Sequence, residues 1–224
     1  MSHPLDRPIW SALATRQAHF DPIGKTARRF PADVSPFVAA RDNSAGALAA
    51  VAELIPAGDD ISLVEHAAPP PPPGIAASTA PVLQMTAREI TGGGASFEIE
   101  ALGESDAAEM LALATLTKPG PFRPRTHTLG RFLGVRDGGR LIAMAGERLH
   151  VDGFHEISAV CTHPDYRGRG LGAAFMRAVG ARMLSEDDTP FLHTYAANTG
   201  AIALYRRLGF EVRSEILHVV WKRA

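Results

Sequence analysis

The stretch Val160-Cys161-Thr162-His163-Pro164-Asp165-Tyr166-Arg167-Gly168-Arg169-Gly170-Leu171-Gly172-Ala173-Ala174 decides how the rest of the chain is read. A β-branched, apolar run ends at Thr162, and His163-Pro164-Asp165 breaks it. A basic, glycine-dense turn follows. From Leu171 onward, Leu171, Ala174, Phe175, Ala178 and Val179 fall on one helical stripe. Strand, glycine turn and helix start together predict an anion site. The first N–H groups of a helix have no intrahelical partner, and its dipole places partial positive charge there. Glycines at 168, 170 and 172 let an anion approach the backbone without a Cβ in the way. Arg167 and Arg169 add full charges.

The turn lacks a Gly-Lys-Ser/Thr ending, which disfavours a nucleoside triphosphate loop. Gly168 to Ala173 formally fits the dinucleotide pattern G-x-G-x-x-A. In a dinucleotide fold, however, the glycines follow the strand directly and an acid closes the next strand. Here residues 163–167 intervene, and the next apolar run, Phe191 to Tyr195, leads to Asn198. Too little chain follows for the second half of such a sheet.

Arg167-Gly168-Arg169-Gly170-Leu171-Gly172 resembles the R/Q-x-x-G-x-G/A signature of the GNAT superfamily of N-acetyltransferases. A second block, His193 to Phe210, is similar to that family's other motif: a strand, Asn198, a helix carrying Tyr205, then Leu208-Gly209-Phe210. The resemblance covers Phe97 to Ala224 and implies an α/β (α+β) fold with a mixed central sheet flanked by helices. Cys161-Thr162-His163-Pro164 and Phe191-Leu192-His193 are also similar to the glycine-N-acyltransferase-like branch.

Composition sets the outer bounds. With 224 residues the chain forms one large or two small domains and can bury a sizeable core. A formal net charge of −1 gives no bulk attraction to nucleic acid or to a membrane. The single cysteine, Cys161, excludes an intramolecular disulfide framework, and its place in an apolar strand marks a small buried residue. The segment Met1 to Pro8 has no apolar h-region, and no uninterrupted apolar run approaches the ~18 residues of a membrane span. The expectation is a soluble, cytoplasmic protein with no metal.

Taken in order, Pro8 to Leu13 predicts a helix start with Trp10, Leu13 and Gln17 on one side. Phe37 to Ala40 reads as a short strand. Ser44 caps a helix from Ala45 to Ile55 whose inner face is Leu48, Val51, Ala52 and Ile55. Ile61 to Glu65 and Val82 to Thr86 read as strands, separated by the proline run 69–73, a stiff extended spacer. The polar, flexible segment 91–96 is the expected boundary between an N-terminal α/β region (1–90), a degenerate half without a chemical motif, and a GNAT domain (96–224).

In the second region, Phe97 to Leu102 alternates as a strand. Ser105 and Asp106 cap a helix with Met110, Leu111, Leu113 and Ala114 inward. Phe122 to His127 is irregular and basic, where the GNAT architecture places acceptor-binding loops. A meander follows over 132–136, 141–148 and 155–162, its first turn signalled by Asp137-Gly138-Gly139. Helix 171–185, strand 191–195, helix 199–208 and strands at 210–213 and 217–221 complete the chain.

The resemblance implies acetyl transfer from acetyl-CoA to an amine-bearing acceptor in a ternary complex. That reaction must hold a pyrophosphate, polarise a thioester, deprotonate an ammonium and protonate a thiolate. Arg167, Gly168, Arg169, Gly170, Leu171 and Gly172 would hold the phosphates. By resemblance, the backbone of Val160, Cys161 and Thr162 pairs with the pantetheine arm. Asn198 is either a plain helix cap or a pantetheine contact. Tyr205, two helical turns further on, is either core or the acid that protonates the leaving thiolate. The base stays open between His193, at a position where some relatives carry glutamate, and Glu156. A catalytically silent CoA-binding module is the rival reading, and a second is an assembly protein in which the N-terminal region does the main work.

Overall fold

The computed structural model describes residues 3–21, 23–93 and 97–224. The first part of the chain folds as α1 (Pro8–Ala14), β1 (Ala27–Arg29), β2 (Val38–Ala40), α2 (Ala45–Glu53), β3 (Asp60–Glu65) and β4 (Ile75–Thr86). Then come β5 (Glu100–Leu102), α3 (Ala107–Thr117), β6 (Phe132–Asp137), β7 (Arg140–Val151) and β8 (Phe154–Thr162). The chain closes with α4 (Leu171–Ser185), β9 (Thr189–Tyr195), α5 (Thr199–Arg207) and β10 (Glu211–Arg223). β1 and β2 form a separate two-stranded ribbon, and the other eight strands form one mixed sheet in the order β3-β10-β4-β9-β8-β7-β6-β5.

The sheet runs straight across the division expected at 91–96, of which residues 94–96 lie outside the described residues. β4 is interior: one edge pairs with β9 (Gln84↔His193) and the other with β10 (Val82↔Ile216). Strands from before residue 90 therefore satisfy backbone groups of strands from after it.

The proline run has a specific task in this topology. β3 and β4 flank β10 and both run antiparallel to it, so they are parallel to each other. The chain must return from Glu65, opposite Leu217, to Ile75, opposite Arg223. That is about 20 Å along the strand at ~3.3 Å per residue. Polyproline geometry, at ~3.1 Å per residue, spans the return without needing the hydrogen bonds that prolines cannot donate.

Two apolar layers cover the sheet. On one face Leu5, Ile9, Leu13, Phe30 and Phe37 pack with Leu149, Val151, Phe191 and Ile216. On the other, Phe175, Met176, Val179 and Met183 of α4 pack with Ile142, Ile157, Leu192 and Phe210. The stripe read along 171–179 is the buried face of α4, with Leu171, Ala174, Phe175 and Val179 all buried. α2 is capped as its sequence predicts, Ser44 Oγ accepting from the Ala47 N–H. Within α3, Met110, Leu113 and Ala114 are buried while Leu111 lies on the flank. The two terminal strands expected at 210–213 and 217–221 are one strand with a bulge between Val212 and Ser214. No helix among the described residues is long and apolar enough to cross a membrane.

Candidate active site

β8 and β9 are the sheet's parallel pair, and they pair only through Phe154↔Thr189, His155↔Pro190 and Glu156↔Phe191. Beyond Glu156 they part: β8 stays on β7 (Met144↔Cys161, Ala143↔Thr162), and β9 stays on β4 as far as Tyr195. A bulge on β8 helps to set the divergence. Three steps of β8 (Ser158 to Cys161) oppose two of β7 (Gly146 to Met144), and Ala159 sits at φ 54°. A left-handed alanine costs about 1–2 kcal/mol, which its neighbours on the sheet must offset.

The gap opens into a cavity of about 840 Å³, a size suited to a small-molecule ligand. Its walls carry Val160, Cys161 and Thr162 from β8, Arg167, Gly168 and Gly172 from the glycine turn, and His193, Asn198 and Tyr205 beyond it. These are residues the sequence singled out, brought to one space by the splay.

At the mouth of α4, Gly168 and Gly170 have φ of 78° and 88°, and a Cβ at either would meet no atom within 4 Å. Glycine is therefore needed for the backbone conformation, and the space beside it is open. No side chain caps α4, and its first backbone bond is Ala174 N–H to the Gly170 carbonyl. Its first-turn amides are thus available to an anion. Arg167 lines the cavity, whereas Arg169 folds back over the Tyr166 ring at 4.7 Å and reaches the Asp165 carbonyl. Leu171 is a core residue, so it offers only its backbone.

Asn198 caps α5, its Oδ1 accepting from the Ala201 N–H at 3.2 Å, while it also lines the cavity. Tyr205 packs edge-on to Phe210, and its hydroxyl makes no hydrogen bond among the described residues. Burial raises the phenol above its ordinary 10, so it stays protonated at neutral pH. The Cys161 thiol is pushed up to about 11 by burial, which fits a packed, unreactive cysteine.

Along the cavity floor, from Arg148 and His193 inward, runs a polar chain that the sequence did not reveal. Arg148 donates Nε to Glu156 Oε2 at 2.9 Å and Nη2 to Oε1 at 2.6 Å. His193 Nδ1 lies 2.7 Å from Glu156 Oε1, and its Nε2 lies 3.0 Å from Gln84 Nε2. Arg213, which can only donate, holds Gln84 Oε1 at 2.7 Å, so the Gln84 amide nitrogen must face His193. His193 Nε2 then accepts, and the ring is neutral with its proton on Nδ1, donated to Glu156. Glu156 is 0% exposed, and burial is outweighed by Arg148 and His193, which hold its carboxyl at about 2. Glu156, the other candidate base, has no surface on the cavity and is ionised between its two partners.

The basic segment 122–127 is likewise not the cavity wall. Arg123 pairs with Asp59, Arg125 with Asp33 and His127 with Glu104. The wall is instead the preceding turn, Thr117 to Pro121, with Phe37 and His218. Residues of the N-terminal region thus reach the site, a contribution no local motif announces.

An eight-stranded mixed sheet, splayed at its parallel pair beside an uncapped glycine-rich helix mouth, leaves an open cavity suited to a small-molecule ligand. An FR47-like protein family model matches residues 132–221. A solved structure from Novosphingobium aromaticivorans, assigned as an acetyltransferase of the GNAT family, is 43% identical, with 100% of both chains covered and a TM-score of 0.88. A GCN5-related N-acetyltransferase from Kribbella flavida shares the fold at 19% identity, 96% coverage of each chain and a TM-score of 0.61. Mycothiol acetyltransferase from Corynebacterium aurimucosum is 39% identical over 72 residues, 32% of this chain and 23% of that protein. The same enzyme from Acidimicrobium ferrooxidans is 32% identical over 97 residues, 41% of this chain and 31% of that protein. The chain thus spans about a third or less of the length of these curated relatives. It belongs to the GNAT family of acetyltransferases.

Proposed function

We propose that this protein is an N-acetyltransferase that moves an acetyl group from acetyl-CoA directly to a primary amine in a ternary complex. The observation that carries this reading is the single cavity shared by the open glycine mouth of α4, the edge of β8 that β9 leaves free beyond Glu156, and Tyr205. Acetyl-CoA supplies the activated thioester. The first-turn amides and Arg167 hold its diphosphate, and the free backbone of 160–162 takes the pantetheine arm as an added strand.

Tyr205 keeps its proton through burial and delivers it to the departing thiolate. His193 is the base: its neutral ring faces the cavity with Nδ1 anchored on Glu156, and its Nε2 lone pair takes the amine proton when Gln84 yields it. Glu156 and Arg148 are positioning residues that fix the tautomer.

The test is thiol release from acetyl-CoA across a panel of amines, with Tyr205→Phe beside the parent. Turnover in the variant should fall by about 100-fold or more while acetyl-CoA affinity by calorimetry barely changes. The alkaline limb of the parent's turnover should lie above pH ~10, because the phenol's pKa is raised and activity is lost only once it ionises. Equal turnover in the variant removes Tyr205 from the mechanism, and a parent pH profile retained in His193→Ala removes His193. Binding without thiol release on any amine would favour the catalytically silent CoA-binding module.

A further inference from the structure

His155 and Glu156 are neighbours on β8, so their side chains leave opposite faces of the sheet. Opposite the Glu156 network, His155 is register partner to His150 across the β7–β8 hairpin, and their rings lie 3.6 Å apart. Glu147, three residues before His150, belongs by alternation on the other face. The register shift between Glu147 and His150 inserts one residue and returns both to the same side.

Three ligand atoms converge there. Glu147 Oε2 lies 3.3 Å from His155 Nε2 and 3.7 Å from His150 Nε2. A tetrahedral ion bound at about 2.0–2.1 Å sets neighbouring donors about 3.4 Å apart, which is the spacing these two edges bracket. Both nitrogens are buried and have no hydrogen-bond partner among the described residues. His155 is 5% exposed on its side chain, so its unmatched nitrogens carry a desolvation cost.

The surroundings are arranged around this point. Arg182 engages the other oxygen of Glu147, Oε1, and the Arg131 N–H donates to Oε2 at 2.8 Å, fixing the carboxylate plane. His155 Nδ1 faces Asp188 Oδ2 at 3.7 Å, and Arg16 holds Asp188 through both oxygens at 2.8 and 2.7 Å. A carboxylate behind the non-ligating nitrogen is the usual outer partner of a metal-bound histidine. Gly130 leaves room: a Cβ there would stand 2.5 Å from Glu147 Oε2 and 2.9 Å from His150 Nε2. His150 is 20% exposed on its side chain, which gives a fourth position a path to solvent.

We propose that Glu147, His150 and His155 form a divalent-metal site, of the zinc class by its two imidazoles and one carboxylate, that ties the β7–β8 hairpin. None of the three lines the acetyl-transfer cavity, so the site is structural and separate from it. Composition and spacing gave no hint of a metal, because the three ligands share a face only through the bulge.

The test uses the full-length protein stripped with a chelator and desalted. Cobalt(II) titration should give the visible bands of a four-coordinate ion at one equivalent. Zinc, in competition with a coloured chelator, should bind at one equivalent and raise the melting temperature. His150→Gln, at the more exposed position, should weaken zinc by about 100-fold or more, beyond the ~10–100-fold that loss of an outer partner costs, and should abolish the thermal shift. His155→Gln should do the same. The proposal is overturned if the parent binds no more zinc than a variant carrying both His150→Gln and His155→Gln, or if its cobalt form shows only the spectrum of the hydrated ion.

Discussion

Two buried glutamates on the β7–β8 pair stand in opposite situations. Glu156, 0% exposed, lies in a closed chain: Arg148 and His193 saturate it, Gln84 saturates His193, and Arg213 saturates Gln84. Glu147, 2% exposed, meets Arg182 and a backbone N–H, yet two imidazole nitrogens beside it are left without partners. The closed chain holds a shape along the cavity floor. The open cluster has capacity left over, and unmatched buried donors and acceptors are costly enough that natural structures seldom keep them without a use.

The sharpest way to break this comparison is Glu156→Gln. It leaves the Arg148 guanidinium buried without its countercharge, and urea unfolding should show a loss of about 3–5 kcal/mol. Glu147→Gln, measured in chelator, should cost less, about 1–3 kcal/mol, because Arg182 is 22% exposed on its side chain and can rehydrate. If the two losses were equal, the closed and open descriptions would not differ energetically.

A pH effect belongs to the closed side as well. Burial first, then the Arg148 guanidinium, lowers the His218 imidazole below its ordinary 6.5, against a smaller opposing pull from Asp60. A histidine with a depressed folded pKa favours the native state while neutral. Its contribution is therefore whole above pH ~6.5 and drains as the pH falls below that value. The drop in melting temperature between pH 8 and pH 5 should be smaller in His218→Asn than in the parent, and an unchanged drop would reject the assignment.

The smallest effect is expected between the two glutamates' strands, at the bulge. Ala159→Gly relieves left-handed strain of about 1–2 kcal/mol but adds about 0.4–1 kcal/mol of unfolded-chain entropy. The net gain should lie between about 0 and 1.6 kcal/mol by denaturant melt. A clear loss would mean that packing of the Ala159 methyl, buried among Met144 and Cys161, outweighs the strain.

Much of the frame was legible in local pattern. Helix α4 begins and ends where its apolar stripe and glycine turn predicted, and Ser44 caps α2 as expected. The cavity gathers Val160, Cys161, Thr162, Arg167, Gly168, Gly172, His193, Asn198 and Tyr205 because each stands in a motif of short range. The first half of β4 was not legible: residues 76–79 are small and exposed, with no alternation to mark a strand, and they pair with β10 across more than a hundred residues. Nor was the fate of Glu156, whose partners come from β7 and β9.

By itself, then, the sequence determined what is written within one or two turns of chain: a glycine-rich helix mouth with no side-chain cap, a phenol two helical turns beyond a cap, and the family these belong to. Tertiary structure alone decided that residues before and after 90 share one sheet, that Glu156 is an anchor, and that Glu147, His150 and His155 meet. The reason is physical. Backbone conformation and capping are set by neighbours along the chain, whereas charge pairing, bulge register and the matching of buried polar atoms are set by neighbours in space.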